Sequence, residues 1–355
     1  MMSAQEKPSA GQPDLGPLFV VGMWRSGTSL FYALLNQHPQ IALLYEGDLP
    51  LLWPLFLGRR AKMDWPERWQ FWNSAPSRHR LDLDKLPRDV SGLREACEIA
   101  WKQHAGAAIG GCKSPNYFDM LPSLAAQFPN ARFIVIWRNP VEICRSVVRA
   151  ARNDSFFARR GMILRTLRGC HDLKTGVENL RTRQVLVHEI QYETLVDDPA
   201  EVMAGVCSFL NLPLHAGMTT LEHADRSAIY DGAHHEMVKS EGIKATKNKK
   251  KIAGEVLSER VLRKIDRYIA SWHERYEKKS PATPGNARLS GSGWFLLEEF
   301  FDQILYRMFR TFDHAVAFIY CFAPLWLLRR YRAGKARPEA AVLPKENLVG
   351  ASVKD

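Results

Sequence analysis

Near the amino terminus, an apolar run is followed by a glycine-containing turn and then by a helical pattern. Residues 18–21 have the composition of a buried strand, residues 22–27 that of a turn, and residues 28–37 the periodicity of a helix. Further strand patterns return along the chain at 41–45, 107–112, 133–137 and 185–189. Strands that alternate with helices form parallel sheets covered on both faces. The sequence therefore predicts an α/β fold with three layers around a central parallel sheet.

The turn after the first strand has the spacing of a nucleotide phosphate loop. It reads GMWRSGTS, with Thr28 where the lysine of the GxxxxGK[ST] motif would stand. Its glycines let backbone N–H groups converge on an anion, and the helix amino terminus adds partial positive charge. Arg25 can supply the missing cation, and Thr28 and Ser29 add hydroxyl donors. Because no strand ends in a Walker-B-like aspartate, the loop suits a nucleotide whose transferred group needs no Mg²⁺ clamp.

Three motifs, taken in order, resemble those of the sulfotransferases that use 3′-phosphoadenosine 5′-phosphosulfate (PAPS). Residues 25–29 (RSGTS) are similar to the family's [K/R]-x-G-T-[T/S] loop, which holds the 5′-phosphosulfate. Arg138, at a predicted strand end, and Ser146, eight residues later, resemble the pair that grips the 3′-phosphate. Residues 192–199 (YETLVDDP) are similar to the passage whose tyrosine lies near the adenine. The resemblance covers about residues 17–215 and implies a P-loop-like fold, PAPS as co-substrate and no metal.

The Arg138 and Ser146 pair also has a physical rationale of its own. Alone, Arg138 would be interpreted as part of a surface ion pair, and Ser146 as a helix residue that faces solvent or bonds to a carbonyl. At this spacing they offer one phosphate a charge-assisted and a neutral donor. The resemblance thus implies these cofactor-binding residues: Arg25, Ser26, Gly27, Thr28, Ser29, Arg138, Ser146, Tyr192 and Lys247.

The catalytic residues follow from a departure within the family. Its small-molecule branch has a histidine two residues after a strand-end lysine, whereas this chain has Lys113 followed by SPNYF. That passage resembles K-[ST]-P-x-Y-F of heparan-type carbohydrate sulfotransferases. In those enzymes, and in the tyrosylprotein branch, the base is a glutamate shortly after the first helix, a place that Glu46 holds here. The resemblance implies Glu46 as base, with Lys113 and Arg25 as cations at the transferring group.

Other interpretations stay open at this point. Glu46 to Asp48 is also the composition of a polar turn, Asp48 is a second candidate base, and Lys113 also suits a structural lysine at a sheet edge. A P-loop small-molecule kinase would use the same loop, but it would need Mg²⁺ and a phosphate-directed lysine. A non-catalytic membrane-surface protein would use only the basic and aromatic segments.

The chain is expected to consist of one main domain with a distinct carboxyl-terminal part. Residues 50–104, rich in tryptophan, are predicted to be an irregular helical insertion near the acceptor site. The expected division is a flexible tail at 1–16, the sulfotransferase domain at 17–279, a linker at 280–293, an amphipathic, aromatic-rich helical extension at 294–335 and a tail at 336–355.

The segment 294–332 interleaves aromatic with charged residues and ends in RRYR. Its longest uncharged part, 314–328, is shorter than the roughly 20 residues that span a bilayer. The pattern favours an interfacial helix beside a cytosolic basic flank. A helical hairpin packed on the domain or on a second subunit is the alternative. The expected acceptor is a carbohydrate, a lipid or another small molecule that presents a hydroxyl or an amine. Within that class, the aromatic composition suggests a lipid, a lipid-linked sugar or another amphiphile.

Charge and cysteine content bear on partners and location. The formal net charge is +11, and a lysine-rich run such as 244–251 is by itself typical of solvated surface. The resemblance implies a late basic loop that completes the 3′-phosphate clamp, a role expected of either Lys247 or Lys249. No aromatic-interleaved recognition pattern supports nucleic-acid binding. The six dispersed cysteines lack metal-ligand spacing, and the amino terminus lacks an apolar signal core. We therefore expect a cytoplasmic protein, peripheral on the cytosolic face of the membrane.

Overall fold

The computed structural model describes residues 16–105, 109–159, 161–229, 238, 243, 262–266 and 293–335. Within these residues, five strands form one parallel sheet in the order β2-β3-β1-β4-β5. The strands are β1 (Leu18–Gly22), β2 (Ile41–Tyr45), β3 (Ile109–Lys113), β4 (Arg132–Trp137) and β5 (Val187–Gln191). The expected α/β fold with a central parallel sheet is confirmed.

Helices flank the sheet, and the described ones are numbered here in chain order. They are α1 (Thr28–Leu35), α2 (Arg59–Met63), α3 (Trp65–Asn73), α4 (Ala75–Arg78), α5 (Leu93–Ala105), α6 (Leu121–Gln127), α7 (Pro140–Ala150), α8 (Met162–Thr182), α9 (Tyr192–Asp197), α10 (Pro199–Leu210), α11 (Gly293–Phe322) and α12 (Leu325–Lys335). Short 3-10 helices lie at Leu49–Leu57, Leu83–Lys85, Pro115–Tyr117 and Ala216–Thr219.

The apolar run of β1 is continuous because both faces of the sheet are covered. Phe19 and Val21 pack into a core with α5, α6 and α8, whereas Leu18 and Val20 pack into a second core with α1 and α10. Successive side chains of a strand point to opposite faces, so a strand between two helical layers needs apolar residues at every position. These two cores give the molecule its three layers.

One strand and one helix differ from the sequence-based expectation for identifiable reasons. Strand β5 begins at Val187 rather than at Val185, because Val185 takes part in the hydrogen-bonded turn that follows the end of α8 at Thr182. Its N–H donates to the carbonyl of Leu180 at 3.0 Å, and Gln184 adopts a left-handed φ of 57°. A helix C-terminal motif of this kind uses the residues that directly follow the helix, so these residues are not free to pair in the sheet. Helix α8 itself was not anticipated, since charged residues interrupt its apolar pattern.

The carboxyl-terminal helices pack against the domain along one face. The Tyr306 hydroxyl donates to Asp172 at 2.5 Å, and Arg310 forms an ion pair with Asp119 at 3.0 Å. Near Pro324 the chain bends by 119° between α11 and α12. No single described helix has the length and apolar content to cross a bilayer. Residues 303–322 and 325–331, taken together as two helices joined by the bend, do reach that length and apolar content.

The expected helical extension is therefore present, and its packing on the domain matches the alternative that the sequence left open. Apart from Gly16 and Gly293, the tails at 1–16 and 336–355 and the linker at 280–293 lie outside the described residues. The bounds expected for the main domain stay a prediction.

Candidate active site

All five strands deliver a candidate residue at the same edge of the sheet. The β1 loop begins at Gly22, Glu46 follows β2, Lys113 ends β3, Arg138 follows β4 and Tyr192 follows β5. The carboxyl ends of parallel strands form the usual ligand crevice of open α/β sheets. Because β3 and β4 flank β1, the loop lies between the Glu46 and Lys113 side and the Arg138 and Tyr192 side.

Both glycines of the β1 loop are required by close contacts. Gly27 has a φ of +97°, and a Cβ there would lie 2.2 Å from Cδ2 of Tyr192. A Cβ on Gly22 would lie 2.5 Å from the Ser26 Oγ. Helix α1 begins directly after Gly27, and no side chain caps it. The backbone N–H groups of its first turn therefore point into the loop, where an anion can accept from them.

The residues of the loop and of the Arg138 element meet directly. The Arg25 Nε donates to the Ser146 Oγ at 3.0 Å, and an Arg138 Nη donates to the Arg25 carbonyl oxygen at 2.6 Å. The Arg138 guanidinium lies 4.2 Å from the ring centroid of Tyr192. Burial and the neighbouring Arg138 lower the pKa of Arg25 to about 10, a value at which the Arg25 guanidinium is still charged at neutral pH.

This half of the site is suited to a polyanion. The Ser26 Oγ and the Arg138 Nε are buried and have no hydrogen-bond partner among the described residues. Buried donors are normally paired, because leaving one unpaired costs about 1–3 kcal/mol. Two guanidinium groups, an unpaired hydroxyl and a helix amino terminus are the partners that phosphate groups use.

On the other side of the loop, Lys113 forms an ion pair with Glu46. Its Nζ lies 2.9 Å from the Glu46 Oε1 and 3.3 Å from the Ser29 Oγ, and it sits 3.9 Å from the ring centroid of Tyr45. Lys113 is buried, and this burial lowers its pKa, an effect that the charge of Glu46 opposes. The ammonium group thus links the carboxylate to the phosphate loop.

Asp48, the second candidate base, is engaged elsewhere. Its Oδ1 accepts from the Ser114 Oγ at 2.5 Å and its Oδ2 from the Asn116 Nδ2 at 3.0 Å. The side chain is buried, and burial raises its pKa to about 6. With both oxygens bonded to the segment that follows β3, Asp48 ties two strand ends together. The geometry thus distinguishes the two carboxylates, which the sequence could not.

The turn that carries Glu46 is strained and held by the tryptophan-rich insertion. Glu46 and Asp48 have left-handed φ values of 48° and 55°. Asn73 of α3 donates from its Nδ2 to the carbonyl oxygens of Glu46 and Gly47 at 2.6 and 3.1 Å, and the Trp69 Nε1 also donates to Gly47. Non-glycine residues persist in this region only when their surroundings fix them, often at functional sites. Sequence reasoning missed both supports.

Trp24 is a third residue whose place in the site the sequence did not predict. Within the phosphate loop, its ring packs edge-on against Phe156, and its Nε1 donates to the Asn116 Oδ1 at 3.4 Å. The Arg165 guanidinium lies 5.1 Å from the Trp24 ring. A large aromatic residue inside such a loop was the available signal, since loops that only cradle phosphate favour small residues.

Two further expectations concern metal and the late basic run. Lys247 and Lys249 lie outside the described residues. In the ranges that the structure does describe, His, Cys, Asp and Glu nowhere gather in a group of three suited to a metal ion.

Comparison with known proteins identifies related chains. A protein-tyrosine sulfotransferase 1 of Danio rerio is 26% identical over 208 residues, which cover 56% of this chain and 54% of that protein. An uncharacterized protein of Aquifex aeolicus is 24% identical over 223 residues, or 57% of this chain but 26% of its own length. The chain thus spans about half or less of these relatives.

Among solved structures, the sulfotransferase domain from the curacin biosynthetic pathway superposes with a TM-score of 0.50 at 19% identity, covering 72% of this chain and 97% of that domain. This likeness concerns the fold. The sulfotransferase family profile matches residues 17–216, more than half of the 355 residues and including all five strand ends described above. The chain therefore belongs to the sulfotransferase family and is a transferase enzyme.

Proposed function

We propose that this sulfotransferase moves the sulfuryl group of PAPS to a hydroxyl or amine of a carbohydrate, a lipid or another small-molecule acceptor. The observation that carries the proposal is the arrangement at the sheet edge. A carboxylate paired to Lys113 stands on one side of the loop, and a buried cluster of phosphate-type donors stands on the other. That order matches a reaction with the donor nucleotide on one side and the acceptor on the other.

The residues at the Arg138 side fit the donor's three recognisable parts. Residues 25–29 would hold the 5′-phosphosulfate, and Arg138 with Ser146 would hold the 3′-phosphate. Tyr192, whose ring lies against Gly27, would pack on the adenine. Lys247 remains the proposed third contact to the 3′-phosphate.

The chemistry assigned to this chain's residues is a proton transfer and a charge neutralisation. The acceptor oxygen or nitrogen forms a bond to sulfur, the bond from sulfur to the 5′-phosphate oxygen breaks, and the acceptor proton goes to the Glu46 carboxylate. Lys113 and Arg25 neutralise the charge that develops on the departing phosphate oxygen. The products are the sulfated acceptor and adenosine 3′,5′-bisphosphate, and no step requires a metal.

The setting of the enzyme is part of the proposal. We infer a cytoplasmic protein that is peripheral on the cytosolic face of the membrane, with 294–332 in contact with the bilayer surface. The interleaved aromatic and charged residues of that segment support this. An amphiphilic acceptor would suit such a setting.

Calorimetric titration tests the donor assignment. Adenosine 3′,5′-bisphosphate, titrated in EDTA, is expected to bind wild-type protein and to bind Arg138→Ala at least about tenfold more weakly, because a charge-assisted contact to phosphate is lost. Arg149→Ala, which removes an exposed arginine from the same helix α7, is the matched control and should bind normally.

ATP titrated with and without Mg²⁺ separates this proposal from a kinase. Tight, Mg²⁺-dependent binding of ATP without any response to the bisphosphate would refute the donor assignment. Equal bisphosphate affinity in wild type and Arg138→Ala would refute the role of Arg138.

A further inference from the structure

The outer surface of the carboxyl-terminal helices carries a long apolar stripe. Along α11, exposed large apolar residues recur three, four or seven positions apart, so they share one face of the helix. Together with those at the start of α12 they are Phe301, Ile304, Met308, Phe312, Ile319, Phe322 and Trp326. Exposed apolar patches of this extent mark interaction sites in soluble proteins.

A second, distant segment adjoins this stripe. A Cβ on Gly58 would lie 2.8 Å from the Phe322 ring, and the Cys321 thiol lies 3.8 Å from the Leu52 carbonyl oxygen. Beside Gly58, Leu57 is 72% exposed, and Trp53 and Met63 are exposed as well. We call residues 53–63 and 318–331, the part of the chain that contains the carboxyl-terminal end of the stripe, together the docking patch. It joins two parts of the chain about 260 positions apart in sequence.

The docking patch has one sign of charge. Residues 53–63 and 318–331 include five cations, Arg59, Arg60, Lys62, Arg329 and Arg330, and neither segment contains Asp or Glu. Four of these cations, the arginines, are exposed. An exposed apolar surface with a basic rim is complementary to the interface of an anionic bilayer, where aromatic side chains enter the headgroup region and cations meet lipid phosphate. A second copy of this chain would bring the same cations face to face.

The contacts of α11 indicate that the patch lies on a bilayer rather than within it. On its inner face, Asp313 is paired with Arg165 and Arg310 with Asp119. Arg68 donates to the carbonyl oxygens of Tyr320 and Ala323 at 3.0 and 2.9 Å. These contacts hold the helix against the domain, and a spanning arrangement would break them.

We propose that the docking patch binds the enzyme to an anionic membrane surface and that residues 53–63, which the sequence did not assign to this role, are half of it. The 3-10 helix Leu49–Leu57, which contributes Trp53 and Leu57, starts three residues after Glu46. Because this helix connects Glu46 to the docking patch, the acceptor side of the site would face the bilayer. This last step rests on the proposed function.

Vesicle co-sedimentation tests the patch with full-length protein. Wild type is expected to pellet with phosphatidylglycerol-containing vesicles, less so with phosphatidylcholine alone, and less at high salt. Leu57→Glu combined with Trp326→Glu, one exposed residue from each segment, should weaken binding at least about tenfold. Leu186→Glu, which changes another exposed leucine just ahead of β5, is the control and should bind like wild type.

Single variants and a second measurement keep the outcomes distinct. Leu57→Glu alone should lower vesicle affinity; full affinity in that variant would overturn the role of 53–63. The affinity for adenosine 3′,5′-bisphosphate should be the same in every variant as in wild type. This titration therefore tests the donor assignment independently of vesicle binding. The proposal is overturned if wild type does not bind vesicles while light scattering shows a dimer that the double variant loses. In that case the partner of the docking patch is a second copy of this chain and not a membrane.

Discussion

Glu46 and Asp48 stand two positions apart on one turn, yet their surroundings give them different chemistry. Glu46 pairs with Lys113 beside the phosphate loop, while both oxygens of Asp48 accept hydrogen bonds from the segment after β3. The Glu46 side chain keeps 19% of its surface exposed, which leaves room for an acceptor to approach.

The first prediction concerns the base. Glu46→Gln keeps an oxygen for Lys113 but cannot take a proton, so kcat should fall by about 10²- to 10⁴-fold while bisphosphate affinity stays unchanged. Steady-state sulfation assays and calorimetry measure the two quantities. Asp48→Asn is the comparison variant and should lose far less kcat. A Glu46→Gln enzyme that turns over within about threefold of wild type would assign the proton to another group.

The second prediction concerns stability and pH. Burial raises the pKa of Asp48 from 3.8 to about 6, so the folded chain holds a proton that the unfolded chain releases. The contribution of Asp48 to stability is therefore fully present below pH 3.8 and is lost as the pH rises through about 6, by at most about 3 kcal/mol.

Asparagine does not titrate, so wild type should lose stability relative to Asp48→Asn as the pH rises. Urea unfolding of both proteins at about pH 5 and about pH 7.5 measures this difference. A stability difference that stays constant between the two pH values would show that the carboxyl does not titrate in this range.

At the scale of elements, α8 connects the carboxyl-terminal helix to the phosphate loop. Arg165 of α8 pairs with Asp313 of α11 and lies 5.1 Å from the Trp24 ring. The ring of Phe309 fills the space beside Gly161, just before α8 begins. A helix outside the family match thus supports a residue within the loop that is proposed to bind the donor.

The third prediction follows from that contact. Arg165→Met should weaken bisphosphate binding roughly three- to tenfold, because Trp24 loses a cation–π partner worth about 1 kcal/mol. Asp313→Asn should act in the same direction, but less. Arg310→Met removes the ion pairs of α11 with Asp119 and Asp172 and leaves Arg165 in place beside Trp24, so it should lower the Tm without lowering affinity. If Arg165→Met lowers only the Tm, α11 does not support the loop.

At the scale of the whole molecule, α11 and α12 complete the core of the tryptophan-rich insertion. Cys321 belongs to the main core, and Tyr320 packs edge-on against Trp72 at 5.3 Å. The buried Arg68 donates hydrogen bonds to the carbonyl oxygens of Tyr320 and Ala323, at the end of α11. The helices therefore act as part of the fold as well as a surface.

The fourth prediction is that truncation destabilises the domain. A chain ended at residue 279 leaves the Arg68 guanidinium without those carbonyls, at a cost of about 1–3 kcal/mol, and uncovers apolar surface as well. Its Tm should fall by at least about 4 °C in differential scanning calorimetry. A chain that lacks only 336–355 is the control. An unchanged Tm after the longer truncation would mean that α11 contributes little to stability.

The chain's own pattern was sufficient for the fold and for most of the candidate site. Strand and helix periodicity is a local property, and it predicted the α/β class. In a parallel sheet, each residue after a strand reaches the same edge. The family resemblance singled out Arg25, Arg138 and Tyr192, and the structure brings these three residues together. The roles implied by the resemblance remain predictions to be tested as described.

Only the tertiary structure showed the different surroundings of Glu46 and Asp48 and identified the supports of the site. Burial and hydrogen-bond partners depend on residues far away in sequence, as with Asn73 at Glu46 or Arg165 at Trp24. The docking patch likewise arises where two helical segments meet by packing. Such contacts follow from how elements pack together, and no local pattern of residue types encodes them.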